Sequence, residues 1–302
     1  MISHRPDSLP AGQLAGLQAC QPVSLYFMEP IIKKITVPQG ARRTAADILV
    51  AESGLPKARI KDAMNKGAVW MQRGAAKPNR LRKVTALTKP GDRLEMYYDA
   101  EVLSKKPPPA QCISDQVHYS VWFKPPGLLA QGTMYGDHCS IMRQAEVFFG
   151  MKREIYLVHR LDREASGLML LAHSSRAAAA LSEVFRNNRI TKTYSTEVRG
   201  NLPATSPRGT IELPLDGKPA VTEYEAEAYD AEKDISRVKV IIRTGRLHQI
   251  RRHFEMIGFP VIGDPRYGRK NKNSSGMRLQ AVSLSFRCPI LRKDVAYRIP
   301  GD

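Results

Sequence analysis

The run "VHRLDREASGLMLLAHSS", Val158 to Ser175, sets a single aspartate, Asp162, among His159, Arg160, Arg163 and Glu164. A carboxylate held by neighbouring cations stays ionised and aimed, and a partly desolvated one is a potential nucleophile. A matching set of cations lies in "TGRLHQIRRHFEMIG", Thr244 to Gly258. There Leu247, Ile250, Phe254 and Ile257 share one helical face. That leaves His248, Arg251, Arg252 and Glu255 outward, with Arg246 near the helix N-terminus. Asp162 and this arginine-rich helix face read as an ion pair, either a reactive carboxylate with its clamp or a structural salt bridge. Other chemistries fail on spacing. His248 and His253 are five apart, on different helix faces, and make no zinc pair. Apart from Glu164 there is no acidic cluster near Asp162 for magnesium, which argues against a metal nuclease. Phosphate-cradling glycine loops and a nucleophile elbow are absent from the sequence.

The elements that must position these residues follow from apolar periodicity. "EIYLV" and "GLMLLA" flank the Asp162 loop and each read as a buried strand. "HYSVWFKPPGLLAQ" reads as a strand followed by a Pro-Pro-Gly turn. "SSRAAAALSEVFRNN" is a Ser-capped helix with Ala177, Ala178, Leu181, Val184 and Phe185 at helical spacing. "RITKTYSTEVRG", "VTEYEAEAYD", "SRVKVIIRTG", "LQAVSLSFRCP" and "DVAYRIP" read as strands. Many strands with few helices predict an α+β fold on an antiparallel or mixed sheet.

The chain has 302 residues and 42% apolar composition, enough for a real core and for one large domain or a mid-sized one plus a small one. No apolar run approaches the roughly 18 to 20 residues of a membrane helix. The N-terminus lacks a signal-peptide pattern, and structure is expected to begin near Met28. Residues before it read as a flexible extension or a misassigned start. Cys20, Cys112, Cys139 and Cys288 are scattered, with no paired spacing, which fits a reduced, cytoplasmic setting. A net charge of +18 points to a polyanionic partner, nucleic acid first.

The charge is uneven. Residues Lys33 to Tyr97 carry 15 Lys and Arg against 5 Asp and Glu, ten of the eighteen net charges. "SKKPPPAQCISDQ" then reads as a stiff linker. The expected divisions are an extension at 1–32, a small basic domain at 33–100, a linker at 101–116 and a larger domain at 117–302. In the basic domain, "TAADILVAESG" is a helix capped by Thr44 and stopped at Gly54. "PKARIKDAMNKG" is a second helix, with Ala58, Ile60, Ala63 and Met64 as its buried stripe. Lys57, Arg59, Lys61 and Lys66 remain for solvent or phosphate. "AVWMQRG" and "GDRLEMYYD" read as strands around a basic loop with Lys77, Arg80, Arg82 and Lys83. The pieces "ARRTAADIL", "LPKARIKDAMNKGAVWMQ" and "KPGDRLEM" resemble the alpha-L RNA-binding module of the ribosomal protein S-four type, with "QRG" where relatives often carry Asn-Gly. A solvated helix face competes with RNA contact here; the clustering of charge on a compact unit favours RNA.

Four blocks of the larger domain, in order, resemble the RluA-type RNA pseudouridine synthases. They are "FKPPGLLAQG", "HRLDREASGLMLLA", "KTYSTEVRG" and "TGRLHQIRRHFEMIGFPVIGDPRYG". The resemblance implies an isomerase that needs neither metal nor cofactor. It implies Asp162 as the catalytic aspartate, Tyr194 as the aromatic that packs on the base and moves the proton from carbon five, and Arg251 as the aspartate's partner, with Arg246 as an alternative. Arg160 is implied to fill the gap left by the flipped nucleotide, since the base must leave its stack to react. Arg163, Arg246 and His248 join Arg160 as RNA contacts, alongside Lys57, Arg59, Lys61, Lys66, Arg80 and Arg82. His159 and His248 otherwise read as hydrogen-bonding groups. Phe123, Ala165 and Leu247 depart from the usual Asn, Thr and Thr or Ser, and bear on loop bonding and substrate choice. The expected substrate is ribosomal RNA ahead of transfer RNA, and the expected state a monomer off the membrane. A non-catalytic RNA-binding or ribosome-assembly factor on the same scaffold is the competing reading.

Overall fold

The computed structural model describes residues 29–40, 43–268, 271 and 275–299. Residues 1–28 of the expected extension at 1–32 lie outside them. The basic segment forms a four-stranded antiparallel sheet from β1 (Ile31–Thr36), β2 (Val69–Gln72), β3 (Asn79–Arg80) and β4 (Arg93–Tyr98), in the order β1-β4-β2-β3. β1 starts close to the expected onset near Met28 and reaches two residues before the expected domain bound at 33: Ile31 and Ile32 pair with Tyr98 and Tyr97. In α1 (Ala45–Ser53) the Thr44 hydroxyl accepts from the Asp47 N–H, and Gly54 ends the helix at φ 70°. α2 (Lys57–Asn65) buries Ile60, Ala63 and Met64. Ala58 was expected in that stripe but is exposed, because two residues rotate it about 200° from Ile60.

The expected linker is shorter than its sequence suggested. α3 (Ala100–Ser104) and β5 (Gln111–Asp115) take its two ends. The prolines stop at Pro109, so the backbone from Gln111 can donate to a neighbouring strand.

The rest of the chain builds a ten-stranded mixed sheet. After β5 come β6 (Tyr119–Lys124), α4 (Ile141–Phe148), β7 (Tyr156–Leu157), β8 (Ser166–Ala172) and α5 (Ser175–Arg186). Then follow β9 (Ile190–Arg199), α6 (Leu202–Thr205), β10 (Arg208–Ile211), β11 (Thr222–Asp230) and β12 (Ile235–Ile242). α7 (Gln249–Met256), β13 (Leu279–Arg287) and β14 (Asp294–Arg298) complete it. The order is β10-β11-β12-β9-β13-β8-β6-β5, with β14 on β13 and β7 on β8. β8 and β13 run parallel; the other paired strands are antiparallel.

β8 explains why "GLMLLA" is apolar throughout. Met169 and Leu171 enter one core, with Trp122, Val240 and Phe254. Leu168 and Leu170 enter the other, with Tyr119, Leu181 and Leu284. A strand covered on both faces has no polar side to alternate with. "EIYLV" yields only the two residues of β7, because the chain turns at Val158 into the Asp162 loop.

Gly167 makes the β8–β13 junction. It pairs with Ala281 at φ 120°, and a Cβ there would press on the Ala281 backbone. That conformation is open essentially to glycine alone. Gly167→Ala is expected to lower the unfolding free energy by at least about 1–3 kcal/mol. Urea denaturation measures it; an unchanged midpoint would mean the junction relaxes freely.

Candidate active site

The Asp162 loop, residues 158–165, hangs between β7 and β8 and is tied down from below. Lys124, at the end of β6, is fully buried. Its ammonium donates to the carbonyls of Pro125 (3.1 Å), Leu128 (2.9 Å) and Arg163 (3.3 Å). The Gly127 N–H also donates to the Arg163 carbonyl, at 2.7 Å. Burial pushes the Lys124 pKa down to about 8, against the opposing pull of Asp162 and Glu164. His159, beside Asp162 in sequence, accepts the Leu170 N–H at Nε2 (2.9 Å) and stacks on Phe185 at 4.3 Å. Burial, helped by the Lys192 charge, lowers its pKa to about 3, so it is a neutral structural imidazole.

Arg251 comes from α7 and points inward, where the sequence pattern placed it outward. It is 2% exposed. Its Nε and Nη2 donate to Asp264 at 2.6 and 2.8 Å, and its Nη1 donates to Asp162 Oδ2 at 2.8 Å. Two carboxylates account for the burial of an outward-periodic residue. Burial works against the Arg251 charge, but the bonds to Asp264 and Asp162 raise its pKa above the ordinary value. Asp264 is itself fully enclosed and also accepts the N–H groups of Arg266 (2.9 Å) and Tyr267 (3.0 Å). Burial would raise its pKa; Arg251 and those backbone bonds lower it.

α7 starts at Gln249, so Leu247 precedes the helix and is exposed, not part of its buried face. His248 takes the left-handed conformation, φ 52°. Its Nδ1 lies 3.1 Å from the Tyr267 hydroxyl and its Nε2 lies 3.8 Å from Asp162 Oδ1. Gln249 fixes the preceding turn: its Oε1 accepts from the Thr244 hydroxyl and the Arg246 N–H, and its Nε2 donates to Val221 and Thr222.

These elements surround a cleft of about 790 Å³, large enough for a nucleotide-sized ligand. Arg160, Asp162, Tyr194, Arg246, His248 and Arg251 line it. Tyr194 reaches it from β9 and is 8% exposed. Burial first, and then the Asp162 charge, raise its pKa well above the tyrosine range. Arg160 is exposed at the rim, and Arg246 is half-buried with its Nε donating to the Pro219 carbonyl at 2.9 Å. Arg163 is exposed outside the cleft lining. Among the described residues no group of three or more His, Cys, Asp or Glu is placed to hold a metal ion. Of the departures noted in the sequence, Ala165 is buried behind the loop and Phe123 pairs with Leu168 in the sheet.

The basic residues of the small sheet lie elsewhere. Lys57 pairs with Asp47 and Lys66 with Asp62, while the Arg59 guanidinium donates to the Tyr98 hydroxyl. Lys61 is exposed. Arg80 and Arg82 converge on Asp137, between the two sheets, and also donate to carbonyls of Thr133 and Asn65. They join the sheets to each other and do not present a free basic loop.

Sequence reasoning missed Lys124, Gln249 and Asp264. Asp264 stood in "VIGDPRYG", where Asp before Pro reads as ordinary turn chemistry and hides a second role.

Comparison with known proteins agrees with this geometry. The family described as RNA pseudouridylate synthase matches residues 118–256. The "Uncharacterized RNA pseudouridine synthase YlyB" of Bacillus subtilis (strain 168) is 30% identical over 230 residues, 71% of each chain. The "Dual-specificity RNA pseudouridine synthase RluA" of Vibrio vulnificus (strain CMCP6) is 33% identical over 212 residues, covering 63% of this chain and 82% of that one. This chain belongs to the RluA-type RNA pseudouridine synthase family. The solved structure of human RNA Pseudouridylate Synthase Domain Containing 1 shares the fold, with a TM-score of 0.55 at 22% identity over 65% of this chain and 86% of that one.

Asp264→Ala is expected to destabilise the protein by about 3–5 kcal/mol, because it strands a buried guanidinium. Asp162→Asn, at a half-buried position with Arg251 still anchored, is expected to cost far less. Paired denaturation curves measure the difference; equal losses would refute Asp264 as the anchor. His159 generates a pH dependence. Its folded pKa lies below the unfolded value of about 6.5, so its stabilisation is complete above that value and is lost as pH falls towards 3. His159→Phe is expected to reduce the slope of stability against pH between 6.5 and 4 by up to about 1.4 kcal/mol per pH unit. An unchanged slope would mean the ring is protonated in the folded state.

Proposed function

We propose that this enzyme isomerises specific uridines in structured RNA, ribosomal RNA ahead of transfer RNA, with Asp162, Tyr194 and Arg251 as its catalytic set. The observation that carries the residue assignment is the one-sided clamp on Asp162. Arg251 Nη1 donates to Oδ2 at 2.8 Å, while Nε2 of His248 lies 3.8 Å from Oδ1. The held carboxylate faces a cleft that Tyr194 lines from the middle of β9. A flipped uridine would lie on Tyr194 with its sugar toward Asp162. The bond from ribose carbon one to N1 breaks, the base turns, and carbon five bonds to carbon one. The proton leaves carbon five and N1 gains one, so the atoms balance without any co-reactant. Asp162 stabilises the separated state by bonding to it or by its charge.

Arg160 at the rim suits filling the vacated stack and contacting phosphate, with Arg246 and His248 inside the same cleft. The unit around β1–β4 is proposed as an alpha-L type RNA-binding domain, presenting Lys57, Arg59, Lys61 and Lys66. Lys57 and Lys66 form exposed ion pairs, which exchange cheaply for phosphate. Arg80 and Arg82 are withdrawn from that surface by Asp137. A cytoplasmic monomer fits this reading.

The test is pseudouridine mapping of total RNA from cells lacking the gene, complemented with wild type or Asp162→Asn. Particular sites are expected to vanish and return only with wild type. If no site in ribosomal or transfer RNA changes, a binding role or a rarer RNA target takes its place. Tyr194→Phe is expected to keep RNA binding and lose at least about 10²-fold in turnover, read as tritium release from RNA labelled at uridine carbon five.

A further inference from the structure

Three cationic side chains are buried among the described residues: Lys124, Lys192 and Arg251. Two are fully accounted for. Lys124 is capped by carbonyls, and Arg251 is held by carboxylates. Lys192 is 7% exposed and has no hydrogen bond or ion pair to any described residue. It lines the same cleft as Asp162 and Tyr194. Its ammonium faces the Thr244–Arg246 turn at Gly245, whose missing side chain leaves the space open: a Cβ there would lie 3.9 Å from Nζ. Burial lowers its pKa.

We propose that Lys192 binds a backbone phosphate adjoining the target uridine and so positions the nucleotide. This rests on the reading that the cleft receives a uridine of an RNA strand. Lys192 and Tyr194 are two residues apart on β9 and share its inward face, about 6.6 Å apart along the strand. A base lying on Tyr194 would bring its own sugar–phosphate link within reach of Lys192. The neighbouring lining residues Arg160, Arg186 and Arg246 are cationic too, so the position favours an anion. A neutral base carbonyl compensates poorly for an ammonium stripped of water; a phosphate oxygen does so as a full charge, and lysine meets it as a point charge.

The experiment is binding of fluorescein-labelled decauridylate to the full-length protein, by anisotropy, across a potassium chloride series. A lost phosphate contact to a single strand should lower the slope of log affinity against log salt by about 0.7. Lys192→Met and Lys192→Gln are expected to bind about tenfold more weakly with that reduced slope, and Lys192→Arg to keep the wild-type slope. Melting temperatures identify which variants are folded and therefore interpretable. An unchanged slope in a folded Met or Gln variant overturns the proposal, as does a wild type that does not bind decauridylate. A carbonyl contact or a purely structural lysine predicts that unchanged slope. Failure of the isomerase assignment would appear separately, as unaltered pseudouridine maps, since the salt slope is read without turnover.

Discussion

Arg251 sits between two carboxylates that it treats differently. Asp264 takes two of its N–H groups in a buried fork, and two backbone N–H groups fix Asp264 in turn. Its Nη1, which the fork does not use, donates to Asp162. A guanidinium removed from water is costly unless its N–H groups are met, and here the fork meets two of them before Asp162 is counted. Asp264 therefore anchors the arginine, and the arginine can hold Asp162 by one oxygen without enclosing it. A lone Asp–Arg pair of the same length would have to be either deeply buried, and closed to a substrate, or exposed and mobile.

The loop that carries Asp162 is fixed from the opposite side by an unrelated device. Lys124 ends β6 inside the protein and draws three carbonyls around its ammonium, one of them from Arg163, next to Asp162. Gly167, just beyond the loop, lets β8 run against the β13 backbone. Asp162 is thus held through its side chain by α7 and through its backbone by β6 and β8. Only a sheet that brings β8 beside β6 and β13 allows these constraints to meet at one residue.

Much of this was legible in the sequence, for identifiable reasons. Apolar alternation and turn chemistry located the strands and the caps at Thr44 and Gly54, and charge matching set Asp162 against an arginine-rich helix face, because each depends on neighbours close in sequence or on simple complementarity; the choice of Arg251 within that face came from the family resemblance. The inward turn of Arg251 was not legible. Helical periodicity sorts residues by hydrophobicity, so a charged residue defaults to the outside unless its partner is known, and Asp264 lies thirteen positions away in a turn that explains itself. Leu247 failed for the converse reason: an apolar residue at the right spacing was assigned to a helix that, after the left-handed His248, starts two residues beyond it. Arg80 and Arg82 read as free basic residues because Asp137, which binds both, lies far along the chain, in the loop between β6 and α4.

The geometry also bears on how one cleft would run two proton-sensitive steps. Tyr194 is buried and close enough to Asp162 that the carboxylate charge helps keep its phenol protonated. In the proposed reaction that suits the resting site, where a neutral ring packs on the base without repelling it. When the Asp162 charge is neutralised by bonding to the substrate, or balanced by the positive character developing on the ribose, one of the two causes of the raised phenol pKa is removed. The Tyr194 phenol then gives up its own proton more readily after the glycosidic bond has opened than before it. The order of events would follow from the electrostatic coupling of these two side chains, with Arg251 fixing Asp162 throughout.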